Sequence, residues 1–275
     1  MNAKPDSRFN RRQWLQLSAS ALLGLGCWPG CARWAHNGKG GTFRFIAIND
    51  THFQSPQCPA WFEQVRASVR TLEPKPEFCL MIGDLSEHGT RAELGAMQAV
   101  LRSLDMPHHV VIGNHDYGSD TARSAWDELF PHSLNYHFEH RGWRFLGLDS
   151  TQGREWQKTR VQSTTLKWLD DQLPKLNPTE PTVVFTHFPL GQEVSTRPSN
   201  ADELLARFKH FNLAAALNGH FHGFTERRCG PTVLTTNRCC AISRNNHDRT
   251  SEKGYFLCTA QAGQIQRQFI EVKPT

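Results

Sequence analysis

Five short apolar runs along the chain stop abruptly at polar residues suited to binding a metal or moving a proton. Phe43-Arg44-Phe45-Ile46-Ala47-Ile48 gives way to Asn49-Asp50-Thr51-His52, and Phe78-Cys79-Leu80-Met81-Ile82 to Gly83-Asp84. His109-Val110-Val111-Ile112 leads into Gly113-Asn114-His115-Asp116, Thr182-Val183-Val184-Phe185 into Thr186-His187, and Leu213-Ala214-Ala215-Ala216-Leu217 into Asn218-Gly219-His220-Phe221-His222. Such runs, bounded by Gly or Pro, suit strands buried on both faces. Between them, Trp61, Val65, Val69 and Leu72 recur at helical spacing before Pro74. Thr90-Arg91-Ala92-Glu93 reads as a capping box ahead of the stripe Leu94, Met97, Leu101 and Leu104. Residues 164–173 and 202–211 repeat the helical pattern. Strand and helix in alternation predict α/β layers, with the polar strand ends gathered along one edge of a sheet. Residues 233–236, 255–258 and 266–272 read as strands completing a second sheet, with residues 244–247 in a loop over the site.

Charge changes the picture less than its total suggests. The 275 residues hold 31 Lys+Arg against 26 Asp+Glu, a formal +5, which would suit nucleic acid or an acidic surface if it sat on the folded part. Five of the basic residues (Lys4, Arg8, Arg11, Arg12 and Arg33) precede residue 36 with Asp6 alone opposing them, leaving 26 basic against 25 acidic residues beyond it. The rest of the chain is therefore nearly neutral, and no specific nucleic-acid partner is expected. All 14 His lie beyond residue 35. No apolar stretch reaches the length of a membrane span.

The basic start has its own reading. Asn10-Arg11-Arg12-Gln13-Trp14-Leu15-Gln16, followed by a mildly apolar stretch over 17–26, resembles a twin-arginine export signal. Residues 1–35 are read as that signal, 36–41 as a linker and 42–275 as the functional domain. The twin-arginine machinery would then be a partner of the precursor, and the expected location is extracytoplasmic, in the periplasm or secreted from a bacterium. Cys27 loosely resembles a lipoprotein attachment site, although Gly24 fits it poorly; a lipid anchor there is the alternative. Cys58, Cys79, Cys229, Cys239, Cys240 and Cys258 follow the signal, and export would permit disulfides among them. Cys79, inside an apolar run, is read as buried. None of the six forms a Cys-x-x-Cys pair, which argues against a cysteine zinc site.

By chance, Asp-x-His is expected about 0.6 times in such a chain, Gly-His-x-His about 0.05 times and Gly-Asn-His-Asp about 0.002 times. Together and in order, each at the end of an apolar run, they form a specific set. Carboxylate, imidazole and amide oxygen suit Mn, Fe, Zn or Co, and seven such side chains exceed one tetrahedral site, which favours two metal ions. In these motifs the chain resembles the calcineurin-like metallophosphoesterases, from about residue 43 to 222. The resemblance implies a four-layer α/β/β/α sandwich and two divalent or trivalent metal ions. Asp50, His52, Asp84 and His222 would hold one ion, and Asp84, Asn114, His187 and His220 the other, with Asp84 bridging. It also implies hydrolysis of a small-molecule phosphate ester by a metal-bridging hydroxide, with His115 giving a proton to the leaving alkoxide. Asp116 is expected to orient the His115 imidazole. Asp149 ends a further run and is read as a cap outside the site; His88, His108, His109, His137 and His247 are read as surface or packing residues. Purple acid phosphatases carry Tyr three residues beyond the bridging Asp, where this chain has Glu87, which argues against a tyrosinate-iron centre. The short Asp84-to-Asn114 spacing looks more like class III cyclic-nucleotide and glycerophosphodiester phosphodiesterases, so a phosphodiester is the expected substrate. A phosphomonoesterase and a non-catalytic interaction module are the alternatives, the latter disfavoured because all seven ligands are present.

Overall fold

The computed structural model describes residues 41–54, 56–119 and 121–274, so the export-signal reading, the lipid anchor at Cys27 and most of the linker lie outside the described residues. The chain opens with β1 (Phe43–Ile48), α1 (Cys58–Arg70), β2 (Cys79–Ile82), α2 (Arg91–Ser103) and β3 (His108–Val111). Next come α3 (Ser124–Leu129), β4 (Tyr136–His140), β5 (Trp143–Leu148), α4 (Ser163–Gln172), β6 (Thr182–Thr186), α5 (Ala201–Ala206) and β7 (Leu213–Asn218). It closes with β8 (Thr225–Cys229), β9 (Thr232–Thr236), β10 (Lys253–Gln261) and β11 (Gln264–Val272). The strands form two sheets, ordered β11-β10-β1-β2-β3 and β4-β5-β6-β7-β9-β8.

Side-chain alternation along the strands sorts the core into three layers. In β1, Ile46 and Ile48 pack with Trp61, Phe62, Leu94 and Met97 from α1 and α2. Phe43, Phe45 and Ala47 point the other way, into a second cluster with Phe145, Phe185 and Leu217 of the opposite sheet. Leu146, Leu148 and Val184 turn outward onto Leu166, Leu169 and Leu204 of α4 and α5. Helix, sheet, sheet, helix is the four-layer sandwich expected. Both faces of the inner strands are covered, which is why their sequences are continuously apolar. Between the sheets, Phe45 stacks on Phe78 at 5.0 Å and Phe78 meets Phe145 edge-on at 5.1 Å.

Two expectations need correction. The ligand-bearing strands do not share one sheet: β1 to β3 belong to the first, β6 and β7 to the second. Their carboxyl ends therefore converge across the gap between two sheets. The C-terminal strands also divide. β9 lies beside β7, while β10 runs antiparallel to β1, pairing Phe45 with Cys258, and β11 follows it. Tyr255 and Leu257 face the helices and Phe256 and Cys258 the inter-sheet core, so the middle of β10 is buried on both faces.

Smaller differences have local causes. The helix expected over 202–211 is α5 followed by turns, where Arg207, Phe208 and Lys209 bond carbonyls three residues back. Half of the capping box forms: Thr90 Oγ1 accepts from the Glu93 amide at 3.2 Å, but the Glu93 carboxylate accepts from the His88 amide at 2.9 Å. No disulfide joins the described cysteines; Cys79, Cys240 and Cys258 are fully buried, and burial raises each of their thiols. Among the described residues no helix is long and apolar enough to cross a membrane.

Candidate active site

The backbone turns sharply where the strands end. Asp50, His52, Asp84, His220 and His222 all have φ between 42° and 63°, the left-handed region that non-glycine residues enter only when their surroundings enforce it. Here the enforcement is visible. The amides of Thr51 and His52 both donate to the Asp84 carbonyl, at 2.9 and 3.0 Å, and Asp50 N donates to Gly83 O at 3.1 Å, locking the ends of β1 and β2 together. Within the second sheet Gly219 N donates to His187 O at 2.9 Å, and across the sheets His220 N donates to both Asp50 carboxylate oxygens at 3.0 Å. Gly83 itself has φ +75°, and a Cβ there would lie 2.4 Å from His187 Nδ1.

These turns bring all seven candidate ligands into one cluster. Asp50, His52, Asp84 and His222 form one group, Asp84, His187 and His220 a second. Asn114 joins the second, its Oδ1 3.3 Å from His187 Nε2. Asp84 belongs to both: its Oδ2 lies 3.6 Å from His52 Nε2 and 3.2 Å from His187 Nε2. On the far side of the first group, His222 Nε2 is 3.2 Å from Asp50 Oδ1 and 3.1 Å from His52 Nε2.

The tautomers show what this cluster fits. His187 Nδ1 faces the Ile82 carbonyl at 3.1 Å and must donate to it, which leaves Nε2 with a bare lone pair. His220 Nε2 faces the Trp156 carbonyl at 2.9 Å, so its Nδ1 is bare as well. These two lone pairs stand 3.2 Å apart. With both rings neutral no hydrogen bond can join them, whereas a shared cation satisfies both. His52 follows the same rule, its Nδ1 2.9 Å from Glu87 Oε2 and its Nε2 turned to the cluster.

Without a cation the charges compensate through protons. Burial opposes ionisation of Asp50 and Asp84, yet His222 and His187 outweigh it and hold both carboxyls well below the usual range. Burial also works against a charged His187, but Asp84 and Asp50 push it up to about 9, while burial and the neighbouring His187 bring His220 down to about 3. An imidazole that ligates a metal must be neutral, so an entering cation displaces the His187 proton. Metal affinity is accordingly expected to rise with pH up to about 9, by up to about tenfold per unit, with proton release seen calorimetrically in buffers of different ionisation enthalpy. Uptake without proton release at pH 7 would contradict this assignment.

Asp116 does not orient His115. Its carboxylate accepts from Ser86 N at 2.9 Å, Ser86 Oγ at 3.0 Å and Gly113 N at 2.9 Å, which pins the 3-10 turn Asn114–Asp116 against the loop after β2. The turn itself directs Asp116 inward; burial and the Asp84 charge push its carboxyl up to about 7. His115 is held instead by Glu87, whose carbonyl accepts from Nδ1 at 2.8 Å, and its amide donates to Asp84 Oδ1 at 2.8 Å. Asp149 is a cap, accepting from Thr151 N at 2.8 Å.

Sequence reasoning missed part of the surrounding wall. A cavity of about 520 Å³ opens over the cluster, lined in addition by Trp156, Arg244 and His247. His247 is exposed, as the sequence reading has it, and also lines the cleft. Glu87 links His52, His115 and Arg244; burial disfavours its charge, but His52 and Arg244 bring its carboxyl down to about 2. Its place three residues after Asp84 was a usable signal, whereas Arg244, 157 positions further on, was expected only as part of a loop over the site, with no role of its own.

The motif order and this geometry agree with a profile of the calcineurin-like phosphoesterase family, which matches residues 43–224. The chain belongs to that family. A probable glycerophosphodiester phosphodiesterase from Arcobacter nitrofigilis is 31% identical over 157 residues, 52% of this chain and 56% of its own length. The chain thus spans less than two thirds of that relative. A 3′,5′-cyclic-nucleotide phosphodiesterase from Nostoc sp. is 32% identical over 183 residues, 64% of this chain and 67% of its own. Among solved structures, a purple acid phosphatase from yellow lupin superposes with TM-score 0.62 at 15% identity, over 84% of this chain and 52% of that one, which shows a shared fold. Metallophosphoesterases use a dimetal site, and the cluster around Asp84 is where this member would hold it.

Proposed function

We propose that this chain is an exported dimetal phosphoesterase that prefers phosphodiesters. The observation that carries the reading is the Asp84 carboxylate, one oxygen of which approaches ligands of both groups, His52 and His187. Identity of about a third to a glycerophosphodiester and a cyclic-nucleotide phosphodiesterase supports the diester preference. The paired Arg11-Arg12 ahead of an apolar stretch supports export by the twin-arginine machinery and an extracytoplasmic place. The donor set supports Mn, Fe, Zn or Co.

Two bound cations would activate a water near neutral pH and neutralise the phosphoryl oxygens. The chain's own residues hold the geometry. Asp50 fixes the amide of His220, and Glu87 fixes the rings of His52 and His115. With Nδ1 tied to the Glu87 carbonyl, His115 keeps Nε2 for the leaving-group oxygen, in the cavity wall. The test is metal analysis of the purified protein followed by turnover of bis-p-nitrophenyl phosphate against p-nitrophenyl phosphate. A higher kcat/KM on the diester is expected; a higher value on the monoester makes the chain a phosphomonoesterase, and metal-replete protein inert on all phosphate esters makes it an interaction module. His115→Ala is expected to keep its metal and lose about 10²- to 10⁴-fold in rate, most on substrates with poor leaving groups. An unchanged rate would remove His115 from the proton-donor role.

A further inference from the structure

Glu87 connects the metal cluster to a residue the reaction has not yet used. Arg244 Nε donates to Glu87 Oε2 at 3.0 Å and its Nη2 donates to Oε1, a two-point pairing that fixes the plane of the guanidinium. The loop carrying Arg244 is also tied down. Lys253 Nζ donates to the Arg244 carbonyl, and Asn246 accepts from Cys239 N at 3.0 Å while donating to the Glu252 carbonyl at 2.7 Å. Among the described residues Arg244 Nη1 meets no acceptor, and the side chain, 35% exposed, stands in the wall of the cavity with His115.

We infer that Arg244 is a specificity-determining residue, whose Nη1 edge binds an acceptor oxygen on the leaving alcohol. This rests on the phosphoesterase reading above. The position follows from Glu87, whose carbonyl holds His115, the donor to the leaving oxygen, while its carboxylate holds Arg244. Arg244 therefore lies on the leaving-group side. Its chemistry follows from the same pairing. Glu87 already compensates the guanidinium charge, so Arg244 offers a fixed, directional donor rather than a free cation. Its partner is a neutral oxygen near the scissile bond, a neighbouring hydroxyl or ether oxygen. The favoured substrates are phosphate esters of polyols or sugars rather than aryl or simple alkyl esters.

The experiment compares kcat/KM for a glycerol phosphodiester with that for bis-p-nitrophenyl phosphate, in metal-loaded wild type, Arg244→Met and Arg244→Lys. The glycerol ester is expected to lose about ten- to a hundredfold in Arg244→Met, the aryl ester no more than a few-fold, at equal metal content. Arg244→Lys can keep the ion pair but has one nitrogen, so it too loses the ratio. An equal fall on both substrates, or a fall in bound metal, assigns Arg244 to loop anchoring and overturns the inference, as does no fall at all. If wild type cleaves only monoesters, glycerol phosphate against p-nitrophenyl phosphate gives the same leaving-group comparison, and the diester reading alone is lost. Metal-loaded wild type that cleaves neither class overturns both.

Discussion

Asp84→Ala is expected to leave the protein without its metal pair and to cut turnover by roughly 10³-fold or more. The side chain is 1% exposed and serves three partners. Oδ1 accepts the His115 amide at 2.8 Å, and Oδ2 approaches His187 at 3.2 Å and His52 at 3.6 Å. Truncation removes the shared ligand and leaves the His115 amide bare. It also deprives His187 of the carboxylate that offsets its burial. Asp84→Asn separates these effects, because an amide oxygen can still accept from His115 while the negative charge is gone. It is expected to fold and to fail in metal loading, with fewer than one ion per chain by elemental analysis. An Asp84→Asn protein with two bound ions and activity within tenfold of wild type would falsify the bridging role.

Gly113→Ala should damage the same carboxylate from outside. Gly113 has φ −110° and ψ 174°, extended backbone that any residue adopts, so conformation does not demand glycine here. Space does. A Cβ at this position would lie 2.1 Å from Asp84 Oδ1 and 2.2 Å from the Asp84 amide nitrogen, and neither the strand end nor the ligand can yield. Expected are a loss of about 1–3 kcal/mol or more in stability and a fall in bound metal, by thermal unfolding and elemental analysis. Gly95→Ala is the control: inside α2, with nothing within 4 Å of the added Cβ, it is expected to gain about 0.5–1 kcal/mol. A Gly113→Ala protein with unchanged melting temperature and metal content would show that the strand end adjusts.

How much of this was legible before folding depends on the distance over which each signal acts. The strands and helices are local. Apolar runs such as Cys79–Ile82 and the stripe Leu94, Met97 and Leu101 mark their own elements, because burial on two faces or one is written into residue spacing. The seven candidate ligands were legible too, since each lies within four residues of the end of its strand. The error over Asp116 is also instructive. Proximity to His115 suggested a partnership, but successive residues of the turn point different ways, and Asp116 reaches Ser86 instead.

What the sequence determined by itself is thus the strands with long apolar runs, the main helices and the candidate ligand types beyond the strand ends, because these depend on neighbours a few residues apart, whereas the short α3, β4 and β8 carried no such pattern. Tertiary structure alone decided that the candidate ligands come from two facing sheets and that Glu87 holds His52, His115 and Arg244 together. Those facts join residues up to 170 positions apart, such as Asp50 and His220. They arise from how β1, β2, β6 and β7 pack around the phenylalanine core between the sheets, which no local pattern of residues specifies.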